Sequence, residues 1–215
     1  MRTDYENWEP LSAAEASKLF SHLPVFWAIA GGWALDLHIG KQTREHGDID
    51  IIIWQKDLPR LYEHFSQNWM LYKAGGGKLH VWEEGDLSEE INNVWVSRTP
   101  ASPFAFQVLV LDFEGDTWVY RRQQTIKRRD ILLKTKEGLP YLRPEIQLLY
   151  KGGSSHVREK DHADLREVLP FLTIGEKEWL RTALLTQFPG GHPWADSILK
   201  QESEEQSRIT HQDKK

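Results

Sequence analysis

Cysteine is absent from this 215-residue chain, which excludes disulfides and thiolate metal sites and fits a reducing compartment. No apolar run approaches the ~18 residues that a membrane helix requires. The first residues lack the basic and apolar sections of a signal peptide. Together these absences predict a cytoplasmic protein with no membrane partner. An excess of positive charge is missing too: 27 Lys and Arg stand against 32 Asp and Glu, a net charge of -5, which disfavours broad binding to nucleic acid. The exception is local. Arg121-Arg122 with Lys127-Arg128-Arg129 could form a basic strip, although a solvated strand edge is the simpler reading.

Tryptophan is plentiful, with ten copies. Trp27, Trp69, Trp82, Trp95 and Trp118 fall in strand-like stretches, where large rings build core, and one or two others are available to stack on a base or sugar. Periodicity and breakers give the coarse organisation. A helix is predicted from Ser12 to about Leu23, started by a Ser12–Glu15 capping box. Strand 26–30, a short helix, strand 48–54 and a helix from Asp57 to Phe65 follow. Segments near 69–73, 79–83, 91–97, 104–113 and 117–121 read as strands. From Pro144 the chain turns helical, near 144–151, 158–170 and 176–187, with a last turn at His192-Pro193-Trp194. Beyond Lys200 a polar, frayed or extended tail is expected. The predicted domains are 1–142, a helical region 143–200 and a tail 201–215.

The densest chemistry lies in Gly31–Ile53, GGWALDLHIGKQTREHGDIDIII. Alternation along a strand points Asp48 and Asp50 one way and Ile49, Ile51 and Ile53 the other. Carboxylates that close repel unless a cation sits between them, and hard oxygen donors suit Mg²⁺ when substrate phosphates complete its shell. Upstream, Phe26–Ala30 reads as a buried strand and Gly31-Gly32 opens a helix stopped by Gly40. Exposed N–H groups and the dipole at a helix start attract phosphate, and glycine lets it come close.

These residues, the glycine pair, Trp33, Asp36, Gly40, Thr43-Arg44, His46 and Asp48-Ile49-Asp50, resemble the signature of the small antibiotic nucleotidyltransferases of the DNA polymerase beta superfamily. The lincosamide nucleotidyltransferases and the aminoglycoside 2''-adenylyltransferase group are the most similar. A second stretch, Pro144–Lys151 with Arg158, Lys160-Asp161 and Asp164-Leu165, is similar to the helical signature of the same family. The resemblance implies an α/β (α+β) polymerase beta-like nucleotidyltransferase fold, with a curved mixed sheet flanked by helices and a C-terminal helical region closing the far side of a cleft. It implies a Mg²⁺-dependent enzyme that moves a nucleoside monophosphate, AMP from ATP, to a hydroxyl of a small molecule of aminoglycoside-like or lincosamide-like type. Asp48 and Asp50 would hold Mg²⁺. Gly31 and Gly32 would receive phosphates, with Arg44, His46 and Lys151 as further groups toward the nucleotide. Asp36 would orient Arg44 or His46, while Arg158, Lys160 and Asp161 read as a capping and salt-bridge cluster.

One position departs from the family pattern. Members carry a third carboxylate on a neighbouring strand, and Gln107 aligns with it here. Asp112, five residues on, joins Asp48 and Asp50 as the third catalytic candidate, although a regular strand turns it to the opposite face and only a bulge would bring it round. Glu89, Glu90 and Glu114 are other candidates, and the remaining readings are that two carboxylates suffice or that the enzyme is weak. Alternatives to small-molecule transfer are a toxin-like enzyme acting on RNA or protein, and a catalytically impaired nucleotide-binding protein.

Overall fold

The computed structural model describes residues 2–86 and 91–212. The described strands are β1 (Trp27–Ala30), β2 (Asp50–Trp54), β3 (Met70–Gly75), β4 (Lys78–Val81), β5 (Asn93–Ser97), β6 (Phe104–Glu114), β7 (Thr117–Val119), β8 (Lys127–Arg128), β9 (Leu132–Lys134) and β10 (Pro140–Leu142). The described α-helices are α1 (Ala13–Phe20), α2 (Gly31–Ile39), α3 (Leu58–Phe65), α4 (Pro144–Gly152), α5 (Glu159–Val168), α6 (Ile174–Gln187) and α7 (Pro193–Gln212).

The chain divides into two units. Met1–Val119 and Lys127–Leu142 form one; Tyr120–Ile126 and Arg143–Lys215 form the other. In the first, a mixed sheet has the order β4-β3-β5-β6-β2-β1-β10-β9, with β7 and β8 off β6. β2 lies in the interior of that order, antiparallel to β1 and parallel to β6. Its run of isoleucines suits burial on both faces: Ile51 and Ile53 are fully buried and Ile52 nearly so. One face of the sheet is closed by rings. Phe20 of α1, Phe65 of α3 and Phe106 of β6 meet at centroid distances of 5.3–5.5 Å, each burial contributing roughly 1.5–3 kcal/mol. Gln107 is next to Phe106, so its side chain emerges on the opposite face, where Asp50 also lies.

The helical unit is built from capped segments. Thr173 and Glu176 form a capping box at the start of α6, and Pro144 occupies the first turn of α4, where its missing N–H costs nothing. The Ser12–Glu15 box is present on α1. Two differences from the sequence reading have plain causes. β9 and β10 are three residues each, too short for a periodic signal, yet β10 pairs parallel with β1. From residue 201 the chain continues helical to Gln212, since Gln201–Gln212 contains no Gly or Pro and is rich in helix-favouring Glu, Gln and Arg. No described helix is long and apolar enough to cross a membrane.

Candidate active site

β1 ends at Ala30, directly opposite Asp50, and α2 begins on the next residue. Gly31 makes that junction at φ +66°, a left-handed conformation that favours glycine. Its environment demands glycine a second time: a Cβ built there would overlap the Asp50 carboxylate. The Asp50 side chain therefore lies against the backbone at the start of α2. Asp48 and Asp50 are both half-buried and flank the fully buried Ile49, as the alternation requires, although regular β2 begins only at Asp50. The ladder between β2 and β6 extends one residue further, the Gln107 backbone N–H donating to Ile49 O at 3.0 Å.

Gly32 is as tightly enclosed. A Cβ there would overlap the His46 ring and come within 2.8 Å of Arg44 Nη2. Those two side chains are brought to the helix start by α2 itself, through Asp36 one turn along. Buried Asp36 accepts from Thr43 N–H at 3.1 Å and Thr43 Oγ1 at 2.6 Å, and its other oxygen sits 2.6 Å from His46 Nε2. Trp33 packs on the His46 ring at 4.8 Å. Asp36 is thus a loop anchor holding residues 43–46 over Gly32, and Arg44 adds a fixed positive charge beside the N-terminus of α2.

On the other side of Asp50, register places Gln107 as its direct neighbour on β6. The Gln107 amide donates to Asp50 Oδ1 while its carbonyl oxygen accepts from Asn93 Nδ2 at 3.4 Å, so the amide orientation is fixed at both ends. An amide nitrogen cannot ligate a cation or accept a proton. Among the described residues no group of three or more His, Asp or Glu is placed to hold a metal ion. The donor set is accordingly two carboxylates against a glycine cradle. It fits Mg²⁺, which takes one or two protein carboxylates and fills its shell from phosphate oxygens and water.

Comparison with known proteins agrees with this geometry. Residues 14–74, from α1 to β3, match the family model of aminoglycoside-2''-adenylyltransferase. The lincosamide resistance protein of Staphylococcus haemolyticus is 31% identical over 163 residues, covering 70% of this chain and 88% of that protein. The chain belongs to the antibiotic nucleotidyltransferase family. Its fold is shared with the lincomycin-bound lincosamide antibiotic adenylyltransferase LnuA (TM-score 0.54, 19% identity, 77% of this chain and 99% of that one). It is shared equally with ANT(2'')-Ia in complex with adenylyl-2''-tobramycin (TM-score 0.53, 15% identity, 82% and 98%). It is a nucleotidyltransferase.

In this nucleotidyltransferase several expected site residues lie elsewhere. Asp112 pairs with Val119 at the end of β6 remote from Gln107, five residues and about 17 Å along the strand, so it is corrected out of the set around Asp50. The pairing of β6 with β2 runs in unbroken register from Gln107 to Leu111, so the strand does not turn Asp112 back. Glu114, two residues further, is bound to Lys127 at 2.6 Å. Glu89 and Glu90 lie outside the described residues. The basic strip is dispersed as well: Lys127 goes to Glu114, and Arg129 reaches Asp116 at 3.2 Å. Arg122, in the helical unit, donates to Tyr150 O at 2.7 Å.

Lys151, expected among the groups toward the nucleotide, has carboxylate partners within its own unit. It is buried on α4 with its ammonium 2.8 Å from Asp164 and 3.2 Å from Asp161, both on α5 and both buried. A lysine taken out of water needs such counterions, which defines a role in joining α4 to α5. Asp161 also accepts from Arg158 Nε at 2.8 Å and from the Arg158 backbone N–H at 3.1 Å. Burial pushes its carboxyl up, but the Arg158 hydrogen bonds and the Lys151 charge outweigh that and hold it at about 2. Arg158 and Asp161 are therefore the capping and salt-bridge pair expected of them.

The glycine cradle supplies a first test. Gly31→Ala is expected to strain the backbone by roughly 1–2 kcal/mol and to displace the Asp50 carboxylate. Transfer should fall by about 10²-fold, the cost of an ångström-scale misplacement. Thermal melts and initial rates on the same preparation would separate the two effects.

Proposed function

We propose that this enzyme transfers AMP from ATP to a hydroxyl group of a small-molecule antibiotic, of the lincosamide or aminoglycoside kind that its relatives are named for. The observation that carries it is the Asp50 carboxylate set against Gly31 at the mouth of α2, which brings a cation-binding acid and a phosphate-binding backbone to one point. Gly31 and Gly32 let phosphate oxygens approach the backbone at the first helical turn, where the helix dipole favours an anion. Arg44 contributes positive charge from above Gly32. Asp48 and Asp50 would hold Mg²⁺, which when bound neutralises charge on the phosphates and on the entering and leaving oxygens.

The acceptor oxygen attacks the α-phosphorus, the bond from that phosphorus to the bridging oxygen breaks, and pyrophosphate departs. Alignment and charge neutralisation supply most of the acceleration. Gln107 cannot take the acceptor's proton, so a group other than Gln107, or solvent, receives it. The Gln107 substitution is also the one observation behind a second reading, a nucleotide-binding protein impaired in turnover; the intact pair Asp48 and Asp50 favours transfer. The absence of cysteine supports placing the reaction in the cytoplasm.

Incubation with Mg²⁺, ATP labelled at the α-phosphate, and separate panels of antibiotics, RNA and protein tests the proposal. Label on an antibiotic is the expected result. Label only on RNA or protein, or nucleotide binding without any transfer, would overturn it.

A further inference from the structure

The sheet face that bears Asp50 continues beyond Gln107. Register pairs Asp50 with Gln107, Gln107 with Trp95, and Trp95 with Tyr72, and residues so paired project on one side. Two strand spacings put Trp95 about 10 Å across the sheet from Asp50. Ala74, two residues past Tyr72, and its cross-strand partner Leu79 belong to the same side.

Here the first residues of the chain cross the sheet and form a wall. Arg2 N–H donates to Leu79 O at 3.2 Å, and the Tyr5 hydroxyl donates to Gly77 O at 3.0 Å. The Arg2 guanidinium is buried over the Phe104 ring at 3.8 Å and tied to Asp4 and Ser97, which pins the segment. Against this wall lies a cavity of about 450 Å³, lined by Tyr5, Ala74, Gly77, Lys78, Leu79 and Trp95. That is the size of a small-molecule subsite. The Trp95 indole is held by Trp8 at 4.8 Å, Phe104 at 4.9 Å and Tyr5 at 6.3 Å, so its floor is rigid.

The lining carries one cation, Lys78, and no carboxylate among the described residues. Against the described lining a polyamine would meet the Lys78 charge and lose hydration, whereas an apolar arm would gain burial against the rings. We infer that this cavity receives the apolar arm of the acceptor, so the enzyme favours a hydroxyl-bearing acceptor with an apolar arm and at most one positive charge over a polycation. The inference rests on the transfer reading above for the position of the reacting hydroxyl, with the rest of the acceptor extending across Gln107 and Trp95.

Lincomycin, with one amine and an alkyl arm, and tobramycin, a polyamine, serve as probes. Calorimetry on the whole protein without nucleotide should show lincomycin binding at least about tenfold tighter. Ala74→Leu, which fills the cavity, should weaken lincomycin binding about tenfold and raise its KM while kcat and the KM for ATP hold. Lys78→Glu, at an exposed position, should tighten tobramycin binding severalfold. Tighter binding of tobramycin to the wild type, or a folded Ala74→Leu protein that binds lincomycin normally, would sink the inference. If Ala74→Leu does not fold, an unchanged tobramycin affinity in Lys78→Glu sinks it instead. Lincomycin binding without transfer would keep the cavity assignment and overturn the transfer reading; transfer with unaltered KM in Ala74→Leu would do the reverse.

Discussion

Asp50→Asn is expected to fold like the wild type and to transfer nucleotide about 10³-fold more slowly. The replacement keeps shape and keeps an oxygen for the Gln107 amide, so the Asn93–Gln107–Asp50 chain of hydrogen bonds survives. What disappears is negative charge at the point where β1, β2 and the start of α2 converge. Binding of Mn²⁺, followed by its paramagnetism in the absence of acceptor, should weaken in parallel. Asp48→Asn should move both measurements the same way. Asp112→Asn should leave both near wild type, because that residue lies at the other end of β6. A fully active Asp50→Asn enzyme would remove the basis for the site.

The second large effect concerns folding. Lys151→Met should destabilise the helical unit by roughly 3–5 kcal/mol, the usual consequence of stripping one partner from a buried ion pair. Asp161 and Asp164 would stay buried, Asp161 with Arg158 as its remaining cation. Denaturant unfolding monitored by circular dichroism reads this directly. Unchanged stability in the variant would overturn this role for the ion pairs. Acid provides an independent check on the same cluster. The Asp161 carboxyl titrates below its ordinary 3.8, at about 2, so its ionised form stabilises the fold above pH 4 and that contribution disappears as pH falls toward 2. Roughly 2 kcal/mol should be lost over that window in the wild type.

The parts of the site that rest on local chain chemistry were legible in the sequence. Gly31, the short helix ended by Gly40 at φ +82°, and the alternation Asp48–Ile49–Asp50 each follow from rules that act within a few residues. The fold class was legible too, from strand and helix periods together with the family resemblance, and the sheet is indeed mixed and flanked by helices. Partnerships formed across the chain were not. Lys151 looks like any terminal helix lysine until α5 brings Asp161 and Asp164 to it. Asp112 is an acid near the right strand position by number, but a step of 3.3 Å per residue carries it far from Asp50. Asp36 shows an intermediate case: its place on α2 and its hold on His46 were expected, whereas its grip on Thr43 needed the loop to fold back. The wall made by Arg2 and Tyr5 gave no signal, since nothing local tells a segment which distant strand it will cross.

Gln107 has a consequence at the level of the gene. Glutamine and glutamate codons differ only in their first base, so a carboxylate at position 107 is a single nucleotide change away. The neighbour it would face is already there, hydrogen-bonded and in register on β2. A population of cells carrying this gene under antibiotic selection therefore samples the three-acid form of the site at the ordinary rate of point mutation, with no rearrangement of the protein required to reach it.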